Sequence, residues 1–457
     1  MPGDTGAMFL EPLILRREAM LPVAELVGAF TYALDMTEGQ PPGHSLRACY
    51  IATRVAQTMG IDGAALGSVY YAALLKDLGC SSNAARLQEL YAADDLAFKH
   101  AWKTVDPGLP ATLRFVFDRT AAGAPLSRRV AMIANVLRNG DQIAQEMIVA
   151  RCTRGSDIAR ELGFADAVCE GVYHLDEHWD GSGRPGRLAG QAIPLPARLA
   201  LLAQIADVFL QAGGPEAALF EVAHRAGSWL DPELAAGFLA LGEASARQNA
   251  SSSPTLEAKV TALAPLEERA VDDAFLDAVT AAFGKVIDAK SPFTAGHSGR
   301  VAGLAQSLGE RFGMLPARVR QLRRAAALHD VGKLGVSSAI LEKPGKLDDA
   351  EWIAMREHAS HTRAILSRIG PLAELAELAA AHHERLDGTG YPLGLDGHTL
   401  SRETRIITLA DFYDALVADR PYRKAMPQAE ALTVIESEVG KAVDGDCFAA
   451  LRELVAG

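Results

Sequence analysis

The sequence predicts an all-α protein built as two tandem helical bundles of one type, and three observations predict it. Apolar residues recur at helical spacing along most of the 457-residue chain, while alternating strand patterns with hairpin turns are scarce. Short segments of the first half reappear in the second half in the same order. Only the second half carries a dense set of His and Asp side chains.

The helical pattern is clearest after residue 270. Phe275, Val279, Phe283 and Val286 recur about once per turn, so Val271 to Ala289 reads as one helix. Val301, Leu304, Ala305, Leu308 and Phe312 form the next stripe, and His297, four residues before Val301, points inward with it. Further on, Leu372, Leu375, Leu378 and Ala379 lead to His382 on a buried helix edge, with His383 about 100° round the same helix.

The repeats set the domain plan. Pro42-Gly43-His44-Ser45-Leu46-Arg47 matches Ala295-Gly296-His297-Ser298-Gly299-Arg300, and Ala73 to Gly79 matches Ala326 to Gly332 around Lys76-Asp77 and His329-Asp330, both at an offset of 253. Asp180-Gly181-Ser182-Gly183-Arg184-Pro185 pairs with Asp387-Gly388-Thr389-Gly390-Tyr391-Pro392 at an offset of 207. The first copy therefore carries about 46 extra residues. The expected organisation is a degenerate copy over 1–243 with an insertion at about 86–150, a linker over 244–270 around Ser251-Ser252-Ser253-Pro254, and an intact copy over 271–457.

Composition bounds the function. The hydrophobic share is 49%, the charged share 22% and the formal charge -12, which excludes a general nucleic-acid surface but allows a local basic pocket for a small anion. The five cysteines are scattered without a Cys-x-x-Cys spacing and read as buried small hydrophobes. No uncharged apolar run of about 18 residues is present, so the expectation is a cytoplasmic protein without a membrane span.

Seven side chains stand out as metal ligands: His297, His329, Asp330, His358, His382, His383 and Asp411. Neutral imidazoles with carboxylates suit first-row divalent metals, and buried Asp is rare unless paired or metal-bound. Across the internal alignment His297 falls on His44, but His329 falls on Lys76, His358 near Arg151, His382-His383 on Leu175-Asp176 and Asp411 on Gln204. A lysine and an arginine in place of ligands would repel a dication, so the first copy is expected to bind no metal pair, and His174 and His178 are not expected to substitute. His361 and His398 do not fit the ligand pattern and read as surface residues.

The second copy resembles an HD-GYP domain, a subgroup of HD-superfamily phosphohydrolases that degrade cyclic di-GMP. The resemblance rests on Ser291 to Ser298, His329-Asp330-Val331-Gly332-Lys333, Lys343-Pro344-Gly345-Lys346-Leu347, His382-His383-Glu384-Arg385, Gly390-Tyr391-Pro392 and Asp419-Arg420-Pro421-Tyr422-Arg423. It spans roughly Ala274 to Leu454, and the first copy resembles a degenerate member. It implies a helical bundle with two or three metals, iron or manganese, on those seven ligands, with Asp330 bridging. A carboxylate has two oxygens, and a metal pair can clamp the attacking and leaving oxygens of a phosphoryl transfer. Some members ligate a third metal through a Glu four residues before His297. Phe293 stands there, so two metals are expected.

Asp330 and Lys333 are the expected catalytic residues. An ammonium at Lys333 would stabilise charge at phosphorus or on the leaving oxygen. Lys333, Tyr391, Arg420, Arg423 and Lys424 are the expected substrate contacts, the arginines by gripping phosphate and Tyr391 by stacking on a base or meeting a partner domain. The expected reaction opens cyclic di-GMP to linear pGpG and possibly GMP. The alternatives are another cyclic dinucleotide or nucleotide as substrate, since no residue reads guanine uniquely, or a non-catalytic signalling scaffold. Candidate partners are a diguanylate cyclase or other signalling domains, and a second copy in a homodimer. Regulation is expected to enter through residues 1 to about 250 or through oligomerisation, with the first copy as a partner surface or as one half of a pseudo-dimer.

Overall fold

A computed structural model of the chain describes residues 23–106, 108–122, 124–249, 254–265, 271–419 and 423–456. Among the described residues there is no strand, only three isolated β-bridges between helices. The repeat is visible in the helix bounds. His44–Thr58 and His297–Arg311 stand 253 residues apart at both ends, as do Gly63–Leu75 and Pro316–Leu328.

The same local chemistry builds each pair. His44 and His297 open their helices after Gly43 (φ 87°) and Gly296 (φ 70°), a left-handed conformation that side chains with a Cβ rarely adopt. The turn is held from upstream: Asp35 accepts from Ser45 Oγ and Asp288 from Ser298 Oγ, each at 2.7 Å. A Cβ at Gly332 would lie 1.9 Å from the carbonyl oxygen of His358, and one at Gly79 would lie 1.9 Å from that of Arg151. These matching close approaches equate Arg151 with His358 on structural grounds.

The extra residues of the first copy form helices Ala84–Tyr91, Asp95–Trp102 and Leu109–Arg119 and extend Leu126–Glu161 to 36 residues, about 54 Å at 1.5 Å per residue. Phe98 anchors this layer, with ring centroids 4.4 Å from Tyr91 and 5.1 Å from Phe115. All five cysteines are buried and unbridged. Helix Leu195–Arg225 is long and apolar enough to cross a membrane by length and composition, but 67% of its most apolar window is buried in the bundle. It breaks at Gly214 (φ 80°).

The bundles share one core. At its centre Phe30 stacks on Phe283 with centroids 3.8 Å apart, and these two residues are counterparts across the repeat. A residue meeting its own counterpart is the mark of a two-fold, isologous contact. Helix Val23–Thr37 accordingly packs on the turn Val331–Gly335, and helix Asp273–Asp288 on the turn Cys80–Asn83. Each phenyl ring is almost fully buried, which stabilises the contact by about 1.5–3 kcal/mol per ring.

Within the expected linker, Pro254–Thr261 is helical and buries Leu256 and Val260 against the first bundle, where Tyr70 Oη donates to the Val260 carbonyl at 3.1 Å. Residues 250–253, including the serine run, and 266–270 lie outside the described residues. The next helix is Asp273–Asp288, capped by Asp272, which accepts from the Phe275 amide at 2.7 Å.

Candidate metal centre

The seven expected ligands converge from five helical segments and the turns between them. His297 is the first residue of its helix, and His329 and Asp330 join helix Pro316–Leu328 to the 3-10 turn Val331–Gly335. His358 lies within Asp349–Leu366 and Asp411 within Arg402–Val417. His382 and His383 do not continue one long helix as the stripe suggests. Helix Ala376–Ala380 gives way to a 3-10 turn, Ala381–His383, where each residue advances about 120°. Their rings lie 4.0 Å apart at 45°. His297, His329, Asp330, His358 and His382 are buried.

Asp330 is the hub. Its Oδ2 lies 3.3 Å from His329 Nε2 and 3.7 Å from His297 Nε2. Its Oδ1 lies 3.6 Å from both His358 Nε2 and His382 Nε2. Asp411 Oδ1 closes the first set at 3.4 Å from His297 and 3.7 Å from His329, and His383 joins His358 and His382 in a group with all donor atoms within 4.8 Å. Donors around one ion with bonds of about 2.1 Å stand roughly 3–3.5 Å apart, so both sets fit a divalent cation. His297 Nε2, His329 Nε2 and Asp330 Oδ1 are buried without a hydrogen-bond partner, a costly arrangement unless a cation satisfies them.

The outer faces of the imidazoles are pinned. Nδ1 of His329, His358 and His382 donates to the carbonyls of Ala326, Met355 and Ala379 at 2.7, 2.6 and 2.6 Å, which leaves each Nε2 lone pair directed inward. His297 differs: its Nδ1 lies 2.7 Å from Asp414 Oδ2, and Asp414 also accepts from Arg300 Nε at 2.6 Å. Sequence reasoning missed Asp414. Its signal was Asp207, which stands 207 residues earlier and binds His44 and Arg47 in the same way, at 2.7 and 2.6 Å.

Burial holds His358 down at about 3 and His383 at about 4, so both are neutral and ready to ligate. Burial also opposes the cation at His297 and His329, but the negative carboxylates of Asp330, Asp411 and Asp414 beside it carry His297 up to about 11. Asp330 and Asp411 likewise carry His329 up to about 9. The carboxylates of Asp330 and Asp411 are held well below their usual range despite desolvation, by His329 and Lys333 in one case and by His297 and His329 in the other.

The other expected site residues divide. Lys333 reaches the centre, with Nζ 2.5 Å from Asp330 Oδ2. Tyr391 reaches it too, but its ring stacks on His383 at 4.7 Å and carries the Arg356 guanidinium 5.2 Å above it. The loop around it folds tightly onto the ligands: a Cβ at Gly390 would lie 2.6 Å from the His383 carbonyl, and Glu384 accepts from the Leu393 and Leu395 amides at 2.6 and 2.9 Å. Arg423 is engaged elsewhere, donating to the carbonyls of Ala415, Leu416 and Lys424. Lys424 is 94% exposed beside Asp419, and Arg420 lies outside the described residues. His398 is exposed, whereas His361 is half-buried rather than on the surface.

In the first bundle, side-chain cations replace the ligands. Lys76 Nζ pairs with Asp77 and Arg151 with Asp176, both in short contacts. Glu38, Asp77 and Cys80 do approach one another within 4.8 Å, but Lys99 and Lys103 pair with Glu38 at 3.4 and 2.7 Å. The positive charge is already supplied there by protein. His174 pairs with Glu170 at 3.2 Å and His178 bonds Ser182 at 2.9 Å.

Two bundles on a shared core, one with an imidazole and carboxylate centre, agree with the HD domain family, whose model matches residues 131–234 and 282–447. The chain belongs to that family, as an HD-GYP-type phosphodiesterase that binds divalent metal. It is 48% identical over 433 residues to the 3′3′-cGAMP-specific phosphodiesterase 3 of Vibrio cholerae, covering 94% of both chains. A crystal structure of a cyclic GMP-AMP specific phosphodiesterase from V. cholerae aligns with a TM-score of 0.65 at 42% identity, over 95% of this chain and 98% of that one. A cyclic di-GMP phosphodiesterase of Thermotoga maritima is 40% identical over 160 residues, 35% of this chain and 44% of its own length.

Proposed function

We propose that the second bundle hydrolyses a 3′–5′ phosphodiester bond of a cyclic dinucleotide, with 3′3′-cGAMP preferred over cyclic di-GMP and a linear dinucleotide as product. Cyclic di-GMP was the substrate expected from the motifs. The relative that matches across both bundles carries the cGAMP name, while a cyclic di-GMP relative matches over about a third of the chain.

The observation that carries the hydrolytic reading is the disposition of Asp330, whose two oxygens face different donor sets. His297, His329 and Asp411 would hold one divalent ion and His358, His382 and His383 the other, with Asp330 between them. Phe293 supplies no ligand for a third. When bound, two such ions, iron or manganese, polarise the phosphoryl oxygens and lower the pKa of water. The protein holds His358, His382 and His383 neutral, fixes the imidazole orientations through Asp414 and the three carbonyls, and keeps Lys333 beside the bridge. As water oxygen adds to phosphorus and the bond to the 3′ oxygen breaks, the Lys333 ammonium offsets the growing negative charge. Tyr391 braces His383.

The test is turnover of 3′3′-cGAMP, cyclic di-GMP and cyclic di-AMP by protein loaded anaerobically with manganese or iron. The expected result is the highest kcat/KM for 3′3′-cGAMP. A higher value for cyclic di-GMP overturns the specificity, and unchanged turnover in a folded Asp330→Ala variant overturns the mechanism.

A further inference from the structure

The first bundle, having lost its metal ligands, retains a cavity where the metals would have been. Its volume is about 410 Å³, and its wall includes Glu38, Cys80, Arg151, Asp176 and Gln204, several of them the counterparts of the second bundle's ligands. The inserted helices form much of the remaining wall. The cavity is therefore the old active-site pocket, rebuilt around a different chemistry.

Two kinds of surface meet inside it. Tyr91, Phe98 and Trp102 line one side as a connected aromatic group, and Trp229 lies elsewhere on the wall with His178 stacked on it at 4.1 Å. The polar side carries excess positive charge. Glu38 takes two lysines, Lys99 and Lys103, which leaves one ammonium uncompensated by that carboxylate. Arg184 lines the same wall with its Nε buried and without a hydrogen-bond partner, and among the described residues its charge is met by Asp141, which is 73% exposed. Uncompensated cations facing aromatic rings select a planar aromatic body with an anionic group, through stacking and charge-assisted hydrogen bonds. At 410 Å³ the cavity stands near the small end of the roughly 300–1,000 Å³ range of small-molecule sites, a size for one nucleotide rather than two.

One wall also reaches the catalytic bundle. Helix Asp95–Trp102 presents Phe98, Lys99 and Trp102 to the cavity. Its first residue, Asp95, is fully buried, accepts from the Ser338 amide at 2.7 Å and pairs with Lys290 at 3.1 Å. Lys290 in turn donates to the Leu334 carbonyl at 3.2 Å, one residue beyond Lys333. This eight-residue helix thus lines the cavity with Phe98, Lys99 and Trp102, and its Asp95 end is linked through Lys290 to the turn carrying Lys333.

We propose that the cavity of the first bundle is a regulatory site for a nucleoside monophosphate, and that its occupancy is felt at the catalytic centre through helix Asp95–Trp102. The test is calorimetric titration of the full chain with AMP and with GMP, with adenosine, guanosine and inorganic phosphate as comparison probes. Saturable one-to-one binding of a monophosphate is expected, weakened at least tenfold in Ala144→Phe, which fills the cavity, and in Lys103→Met, and unchanged in Lys333→Met. Turnover of the cyclic dinucleotide should change at least twofold at saturating monophosphate in the parent chain and not in Ala144→Phe. Absence of saturable binding at millimolar nucleotide overturns the site, as does binding that cavity variants with unaltered circular dichroism leave intact. Equal binding of the uncharged nucleoside overturns the anionic reading, and binding without any rate change overturns the coupling. Because binding is read directly, a failure of the catalytic assignment leaves this result standing.

Discussion

Asp414→Asn tests whether the second carboxylate on helix Arg402–Val417 serves the metal. Asp414 touches no other donor of the centre than His297, whose Nδ1 lies 2.7 Å from its Oδ2. The neutral amide keeps the shape but removes the charge that fixes the Nδ1–H tautomer and raises ligand basicity. Loss of such outer partners costs about 10–100-fold in metal affinity, or about 1.4–2.7 kcal/mol. The stability cost should be small, because the other partner, Arg300, is 48% exposed and solvent screens such pairs. The first bundle supplies the control. Asp207→Asn breaks the same pattern, but with Arg47 1% exposed, where breaking a buried pair costs about 3–5 kcal/mol. Competition with a fluorescent chelator and thermal melts of both variants should give opposite profiles: weakened metal binding with near-parent melting for Asp414→Asn, and parent metal binding with lowered melting for Asp207→Asn. Parent-like metal affinity in Asp414→Asn refutes the argument.

Three further outcomes follow from the same geometry. Lys333→Met should lower kcat by about 10²–10³-fold while metal content, measured by elemental analysis, stays at the parent level; equal turnover removes the lysine from the mechanism. Gly332→Ala drives a Cβ to 1.9 Å from the His358 carbonyl, so it should destabilise the fold by about 1–3 kcal/mol and also lower metal content, whereas Gly79→Ala should cost similar stability without metal loss. In metal-free protein, His358 near 3 and His383 near 4 stay neutral when the unfolded chain takes up protons below about 6.5, so their stabilisation is complete above that pH and is lost as pH falls toward 4. His297 near 11 and His329 near 9 act in the opposite sense, with stabilisation complete below about 6.5 and lost as pH rises through 9 to 11. Melting temperatures across this range should decline on both sides, and a profile that keeps rising from pH 7 to 11 contradicts the raised values.

The sequence made the helical class and the duplication legible because both are periodic signals: one offset of 253 anticipates both bounds of two helix pairs. The seven side chains of the candidate centre were legible as a group because imidazoles and carboxylates at motif spacing have few other uses. Asp414 was not, since a single Asp on a helix has no pattern until His297 is seen beside it. The division at His382-His383 was missed because a stripe of apolar residues does not separate an α-helix from a 3-10 turn. Arg423 looked like a phosphate ligand by its charge, its forked donors and its place in the Asp419 to Arg423 motif, and the carbonyls of Ala415, Leu416 and Lys424 show what its guanidinium grips. The cavity was invisible because its aromatic and cationic walls come from distant segments, Tyr91 to Trp102 on one hand and Arg184 and Trp229 on the other.

The stack of Phe30 on Phe283 also says something about how the chain could diverge. Two separate identical chains meeting at that spot must mutate in step, because every change appears on both sides at once. Joined in one polypeptide, the halves stay at high effective concentration whatever the protein level, and each can drift alone. One half could trade its imidazoles for Lys76 and Arg151 while keeping the ring that its neighbour leans on. Asymmetry of function under symmetry of packing is what covalent fusion permits and self-association of a single sequence does not.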